Sequence, residues 1–119
     1  MPIVRIDIQS GKSTVYKRAL LHGVREAISG SLGVPESRVM QRIVESVPED
    51  IDAPGKQADR LTIIEITMLP GRDAELKRSL YSEVVARLGV EPGIEAGDIM
   101  VVVHDPSAEC FCIGGETPE

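Results

Sequence analysis

Tryptophan is missing from this 119-residue chain, phenylalanine occurs once and tyrosine twice. The core must therefore be aliphatic, built from Val, Ile, Leu and Met. Positive charge is also short. Lys and Arg number 13 against 19 Asp and Glu, which leaves a net charge of −6. An acidic chain with so few rings lacks the basic surface and stacking platforms that nucleic acid requires. No apolar run approaches the ~18 residues of a membrane span. No nucleic-acid or membrane partner is expected. The start, MPIVRIDIQSGK, has no basic segment followed by an apolar run. A cytoplasmic location is expected rather than export.

Cysteine occurs only as Cys110 and Cys112. Neighbours this close rarely pair with each other, so they read as plain thiols. His22 and His104 lie far from them in sequence, so no metal site is read. No nucleotide-binding loop is present either, and no cofactor is expected. What remains is an ordinary soluble balance, 42% hydrophobic and 27% charged, at a length that suits one domain.

The most informative feature is internal repetition. Shifted by 60 residues, Ile3, Ile6, Gly11, Lys17, Arg18, Leu20 and Val24 fall on Ile63, Ile66, Gly71, Lys77, Arg78, Leu80 and Val84. Lys12 falls on Arg72, and further along Met40 meets Met100. Between these points Leu32-Gly33-Val34 reads as the match of Leu88-Gly89-Val90, which makes the second helix four residues shorter.

Each copy reads the same way. Residues 3–8 alternate, with Val4, Ile6 and Ile8 on one face and Arg5 and Asp7 on the other, the period of a half-buried strand. Residues 61–68 repeat this with Ile64, Ile66 and Met68. A glycine turn follows at Gly11 and at Gly71. A helix comes next, with Ser13 and Asp73 as N-caps and Gly33 and Gly89 as stops. Its buried stripe is expected to be Val15, Leu20, Val24, Ala27, Ile28 and Leu32 in the first copy. In the second it is Leu76, Leu80, Val84 and Leu88. A second strand closes each copy, near 39–47 and 99–104. Residues 48–60, rich in Pro, Asp and Gly, read as a surface loop joining two repeats of about 1–47 and 61–115.

Strand, helix and strand in this length make a right-handed crossover with parallel strands. The expected fold class is therefore α/β (α+β): a tandem β-α-β repeat forming a four-stranded sheet with two helices on one face. The opposite face would carry Ile3, Leu61 and Ile63 among Arg5, Asp7 and Glu65. Such a face is seldom left wet, and no third helix is available to cover it. A homo-oligomer is expected.

With these residues in view, the chain resembles the tautomerase superfamily, which is built from β-α-β units. The resemblance rests on Met1-Pro2-Ile3-Val4-Arg5-Ile6-Asp7-Ile8, on Gly33-Val34-Pro35-Glu36 and on Gly71-Arg72. Lys77-Arg78-Ser79-Leu80-Tyr81 and Phe111-Cys112-Ile113-Gly114-Gly115 add to it. Nearly the whole chain is covered except 48–60. The two-unit arrangement is similar to the malonate semialdehyde decarboxylase branch, and the tail is similar to the ending of single-unit 4-oxalocrotonate tautomerases. The resemblance implies a tautomerase/MIF-like fold, a trimer, and catalysis by an N-terminal proline exposed when methionine is removed.

That implication has a chemical basis. Without Met1, Pro2 carries a secondary amine. An α-amino group titrates nearer neutrality than lysine, and burial beside a cation lowers its pKa further. A neutral amine can take a proton from beside a carbonyl and return it elsewhere. Ile3, Phe111 and Ile113 are expected as apolar walls. Thr62, at the position matching Pro2, is internal and offers no amine, so one site per chain is expected.

Arg72 follows a glycine turn and opens a helix, where a guanidinium can grip a substrate carboxylate with two hydrogen bonds. The resemblance implies that role; a solvated surface arginine is the plainer alternative. Three departures matter. Arg38 stands where the decarboxylase branch has Asp, Pro70 where it has a second Arg, and Cys110 where it has Trp. Arg38 is a candidate replacement anion-binding group or else a surface residue. His22, in mid-helix, reads as structural or exposed. The expected activity is proton transfer on a small 2-oxo or 2-hydroxy-dienoate carboxylic acid. The alternatives are a decarboxylase or hydratase, or an oligomer that keeps the fold without the chemistry.

Overall fold

The structure, a computed structural model, describes residues 1–118. It contains four strands and two long helices: β1 (Ile3–Gln9), α1 (Thr14–Leu32), β2 (Met40–Ser46), β3 (Thr62–Thr67), α2 (Ala74–Val90) and β4 (Ile99–His104). The strands form one sheet in the order β2-β1-β3-β4. β1 runs parallel to β2, and β3 runs parallel to β4, as crossover connections require. β1 and β3 meet antiparallel, with Ile3 opposite Thr67 and Arg5 opposite Glu65. The sheet is therefore mixed, and its two halves are related by a pseudo-twofold through the β1–β3 seam. Among the described residues no helix is long and apolar enough to cross a membrane.

Both helices cover the same face of the sheet. Val4, Ile6, Ile64 and Ile66 are fully buried against Leu20, Val24 and Ile28 of α1 and Leu80, Val84 and Leu88 of α2. Each such side chain contributes roughly 1.5–3 kcal/mol through burial. The helices begin where expected. Ser13 Oγ accepts from Tyr16 N–H at 3.1 Å, and Asp73 Oδ1 accepts from Leu76 N–H at 2.8 Å. Gly11 and Gly71 precede these caps with φ of 108° and 124°, a region that side chains disfavour.

Two expectations need correction. Val15 is 79% exposed, and Tyr16, on the next face round, packs against the core instead. Gly89 is not the stop of α2. The helix continues through it to Val90 and ends in extended backbone at Glu91, because Pro92 cannot supply the next amide. The equivalent of Gly33 is Gly93. Both have positive φ, 69° and 98°, and Gly93 N–H and Ile94 N–H close the helix onto Leu88 O at 3.0 and 2.8 Å. The 60-residue shift thus holds without a gap, and α2 is 17 residues long against 19 for α1.

Among the described residues no helix covers the face away from α1 and α2, although Ile51 and Ala58 of the 48–60 loop reach its Asp7 and Ile63 side. Met40, Met100 and Val102 stand 68%, 53% and 40% exposed on it. They are interleaved with an Arg5–Asp7 ion pair and a Glu65–His104 contact.

Candidate active site

The antiparallel seam decides what meets at each end of the sheet. Because Ile3 lies beside both Met40 and Thr67, the starts of β1 and β2 share one end with the close of β3. Pro2 precedes β1, Arg38 precedes β2, and Arg72 follows β3. The fold brings all three to the rim of one cavity of about 340 Å³.

Each is positioned by local backbone chemistry. Pro2 is buried, and its carbonyl accepts from Met40 N–H at 3.1 Å. Arg38 ends a short 3-10 turn, Glu36–Arg38, that α1 holds from behind: Arg25 Nη1 donates to Glu36 O. Arg72 is half-buried beside the Asp73 cap, where the glycine at 71 turns the chain into α2. The apolar walls come from Leu32, Val34 and Pro35 on one side and Met68 and Leu69 on the other.

The electrostatics are one-sided. Arg38 and Arg72 line the cavity, and among the described residues no carboxylate does. The amino group at the start of the chain donates to Arg38 O at 2.7 Å. Burial first, and then the Arg38 charge, hold its pKa below the usual α-amino value. That amino group is Met1's; burial beside a cation biases an amine toward its neutral form, which proton abstraction needs. The space can take a small anion at the guanidinium groups and present its apolar part to the N-terminal nitrogen.

Of the residues singled out in the sequence, Pro2, Arg38 and Arg72 are brought together. Phe111 and Ile113 are not: they lie on the tail after β4 and do not line this cavity in their own chain. Ile3 points to the uncovered sheet face. The tail does leave β4 at the same sheet end, since Thr67 lies beside His104 and Met68 N–H donates to His104 O at 2.9 Å. The walls that sequence reasoning missed flank the turns at Gly33 and Gly71, and that flanking position was the available signal. His22 is exposed on α1 beside Glu26. Cys110 and Cys112 are exposed free thiols. Among the described residues no cluster of His, Cys, Asp and Glu is arranged to hold a metal ion.

The duplicated β-α-β sheet matches what comparison with known proteins shows. Residues 40–114, more than half of the chain, match the family described as tautomerase enzyme, and the chain belongs to the tautomerase superfamily. Arg72, Phe111 and Ile113 fall inside that stretch, and Pro2 and Arg38 precede it. The chain is 25% identical to the probable tautomerase YusQ of Bacillus subtilis (strain 168), over 96% of its own length and 94% of the relative. Among solved structures, an F6 fused 4-OT wild-type asymmetric trimer superposes with a TM-score of 0.88 at 21% identity, covering 97% and 94% of the two chains. The FG41 malonate semialdehyde decarboxylase inhibited by 3-bromopropiolate superposes with a TM-score of 0.81 at 24% identity, covering 94% and 88%. At these identities the structural likeness establishes the fold.

Proposed function

We propose that this chain is a cofactor-independent tautomerase acting on a small 2-oxo or 2-hydroxy-dienoate carboxylic acid. Pro2, freed by removal of Met1, is the general base, and Arg72 holds the carboxylate. The observation that carries this reading is the convergence of Pro2, Arg38 and Arg72 on one cavity whose lining, among the described residues, holds no carboxylate.

The steps follow from that arrangement. The acid binds with its carboxylate against Arg72, in bidentate hydrogen bonds. The neutral Pro2 nitrogen takes the proton from the hydroxyl or from the carbon beside the carbonyl. Arg38, on the same rim, is the cation that stabilises the oxygen on which negative charge develops. Pro2 then returns the same proton to another carbon of the conjugated system. One proton moves, no atom is lost, and the amine is regenerated neutral.

A decarboxylase or hydratase reading is kept because the malonate semialdehyde decarboxylase fold is shared. It is disfavoured by the lining itself, which among the described residues offers no acidic group to activate water. The working unit is read as a homotrimer, with the exposed Met40, Met100 and Val102 face as the surface between copies.

The test begins with intact mass, which must show Met1 removed. Turnover of 2-hydroxy-dienoates is then followed by loss of the conjugated absorbance, with CO2 release assayed in parallel. Pro2→Ala is expected to lower kcat by about 10²–10⁴-fold, the usual worth of a positioned base, with the oligomer intact. Undiminished turnover in that variant would remove Pro2 from the mechanism.

A further inference from the structure

The 60-residue repeat places a second cavity at the opposite end of the sheet, and the proposed activity does not use it. It measures about 360 Å³, against about 340 Å³ for the Pro2 cavity. Its rim is built from the matching positions of the other unit. Lys12 stands for Arg72, Asp98 for Arg38, and Glu95 for Pro35. Thr62 stands for Pro2. It is fully buried, and its hydroxyl donates to Arg60 O at 3.2 Å. No terminal α-amine exists at this end, so proton transfer of the first kind is absent, yet the space has not been filled by side chains.

The charge pattern differs from that of the first cavity in one decisive respect. Position 12 keeps the cation of position 72, but position 98 inverts the charge of position 38. Lys12 and Arg60 supply positive charge, and Asp59, Glu95 and Asp98 supply negative charge, around one space. None of these five belongs to the ion pairs formed among the described residues. Lys12 instead sits 5.2 Å from the Tyr16 ring centre, and burial pushes the Tyr16 phenol pKa upward. Both signs of charge thus line one cavity, with Lys12 and Asp98 half-buried and Asp59, Arg60 and Glu95 at its exposed rim. The rim is tied together as well: Lys56 Nζ donates to Gly97 O at 2.8 Å, linking the 48–60 loop to the turn before β4.

We propose that this second cavity binds a small zwitterion that carries a carboxylate and an ammonium group, the chemical class of an amino acid. The carboxylate end meets Lys12 and Arg60, and the ammonium end meets Asp98 and Glu95. A simple dicarboxylate is repelled by the acidic side, and a simple amine leaves the cationic side without a counter-charge. Selectivity comes from satisfying both ends at once. Binding here is without chemistry, because Thr62 offers no base.

The test uses the full-length, ¹⁵N-labelled protein in its native assembly, titrated with γ-aminobutyrate while amide shifts are followed. Butyrate and butylamine are the single-charge controls. Saturable shifts are expected at Lys12 and at residues 93–98, with each control weaker by about tenfold or more, the scale of one lost charge-assisted hydrogen bond. Asp98→Asn and Lys12→Met are expected to weaken γ-aminobutyrate by a similar factor while turnover at Pro2 is unchanged. Glu95→Gln, at an exposed position, repeats the test if Asp98→Asn melts early. Four results would each overturn the assignment. They are no saturable shift, equal affinity for butyrate, indifference to these substitutions, and shifts confined to residues 33–38.

Discussion

Two glycines of α1 offer a test of how closely the helices pack, and the structure gives them opposite outcomes. Gly23 is buried where α1 crosses α2. A Cβ placed on it would stand 2.9 Å from Leu88 Cδ2, with Glu91 O at 3.8 Å and Arg87 Cβ at 3.9 Å. Leu88 is fully buried, so its methyl group must shift within the packed helix crossing to make room. Overpacking of this kind costs about 1–3 kcal/mol. Against it stands the helix preference of Ala over Gly, about 1 kcal/mol. Gly23→Ala is therefore expected to destabilise by about 1 kcal/mol net, which lowers Tm by about 4 °C in a domain of this size. Gly30 lies in the same helix, exposed, and a Cβ there meets nothing within 4 Å. Gly30→Ala receives the propensity gain alone and is expected to raise Tm by a similar amount. The propensity term is common to both variants, so their difference isolates the contact with Leu88. Thermal melts at one fixed protein concentration measure it, since an oligomer's Tm depends on concentration. If both variants raise Tm equally, the close helix crossing at Gly23 is wrong.

Further outcomes follow from the same structure. Arg72→Ala is expected to raise KM for a carboxylate substrate by about tenfold to a hundredfold, the scale of a charge-assisted hydrogen bond. Arg38→Ala adds a separate loss if the two guanidinium groups grip different oxygens, and steady-state kinetics of the double variant separate that case from a shared one. Lys77 Nζ lies 2.6 Å from Asp105 Oδ2, and the hydrogen bond from Lys77 holds the Asp105 carboxyl below the ordinary range. A carboxyl with a depressed folded pKa stabilises above its unfolded pKa and loses that contribution as pH falls through the folded value. Asp105→Asn should therefore lower Tm at neutral pH and not at strongly acid pH, and an equal loss at both would refute the pairing. Met100→Asp places a charge on the uncovered sheet face and is expected to shift sedimentation to the monomer mass. An unchanged mass would show that this face is not the surface between copies.

Much of the fold was legible because it rests on short-range patterns. The two-residue period of 3–8 and 61–68 put Val4, Ile6, Ile64 and Ile66 on one face, and all four are buried. The caps at Ser13 and Asp73 were legible because an Asp or Ser before a helical stripe does one thing well. The misreadings have physical causes. Gly89 resembled a helix stop, but a glycine inside a helix costs only about 1 kcal/mol, and Pro92 is the stronger terminator. Val15 suited the stripe by composition, but it sits in the first turn, on the solvent side. The β1–β3 pairing was not legible at all. It depends on how two units dock, and no periodicity records that. The meeting of Pro2 with Arg38 and Arg72 depends on that docking, so the candidate residues could be named in sequence while the cavity joining them could not.

The duplication also bears on why one chain should hold one site of the proposed kind. In a sheet with a pseudo-twofold, each end gathers the start of one unit and the β3-type close of the other. If the units were separate chains, both ends would present a terminal amine. Joining them through 48–60 makes the second start an internal peptide at Thr62, whose nitrogen is an amide with no basicity. Cutting that loop and installing proline at position 62 would restore a second amine, but not a second site of the same kind. Asp98 would stand beside it where Arg38 stands beside Pro2, and a carboxylate there raises the amine's pKa and repels an anionic substrate. The two ends have therefore diverged in both respects that matter for binding an acid and removing its proton. The second end could be turned into a copy of the first only by changing the charge at position 98 together with the chain break.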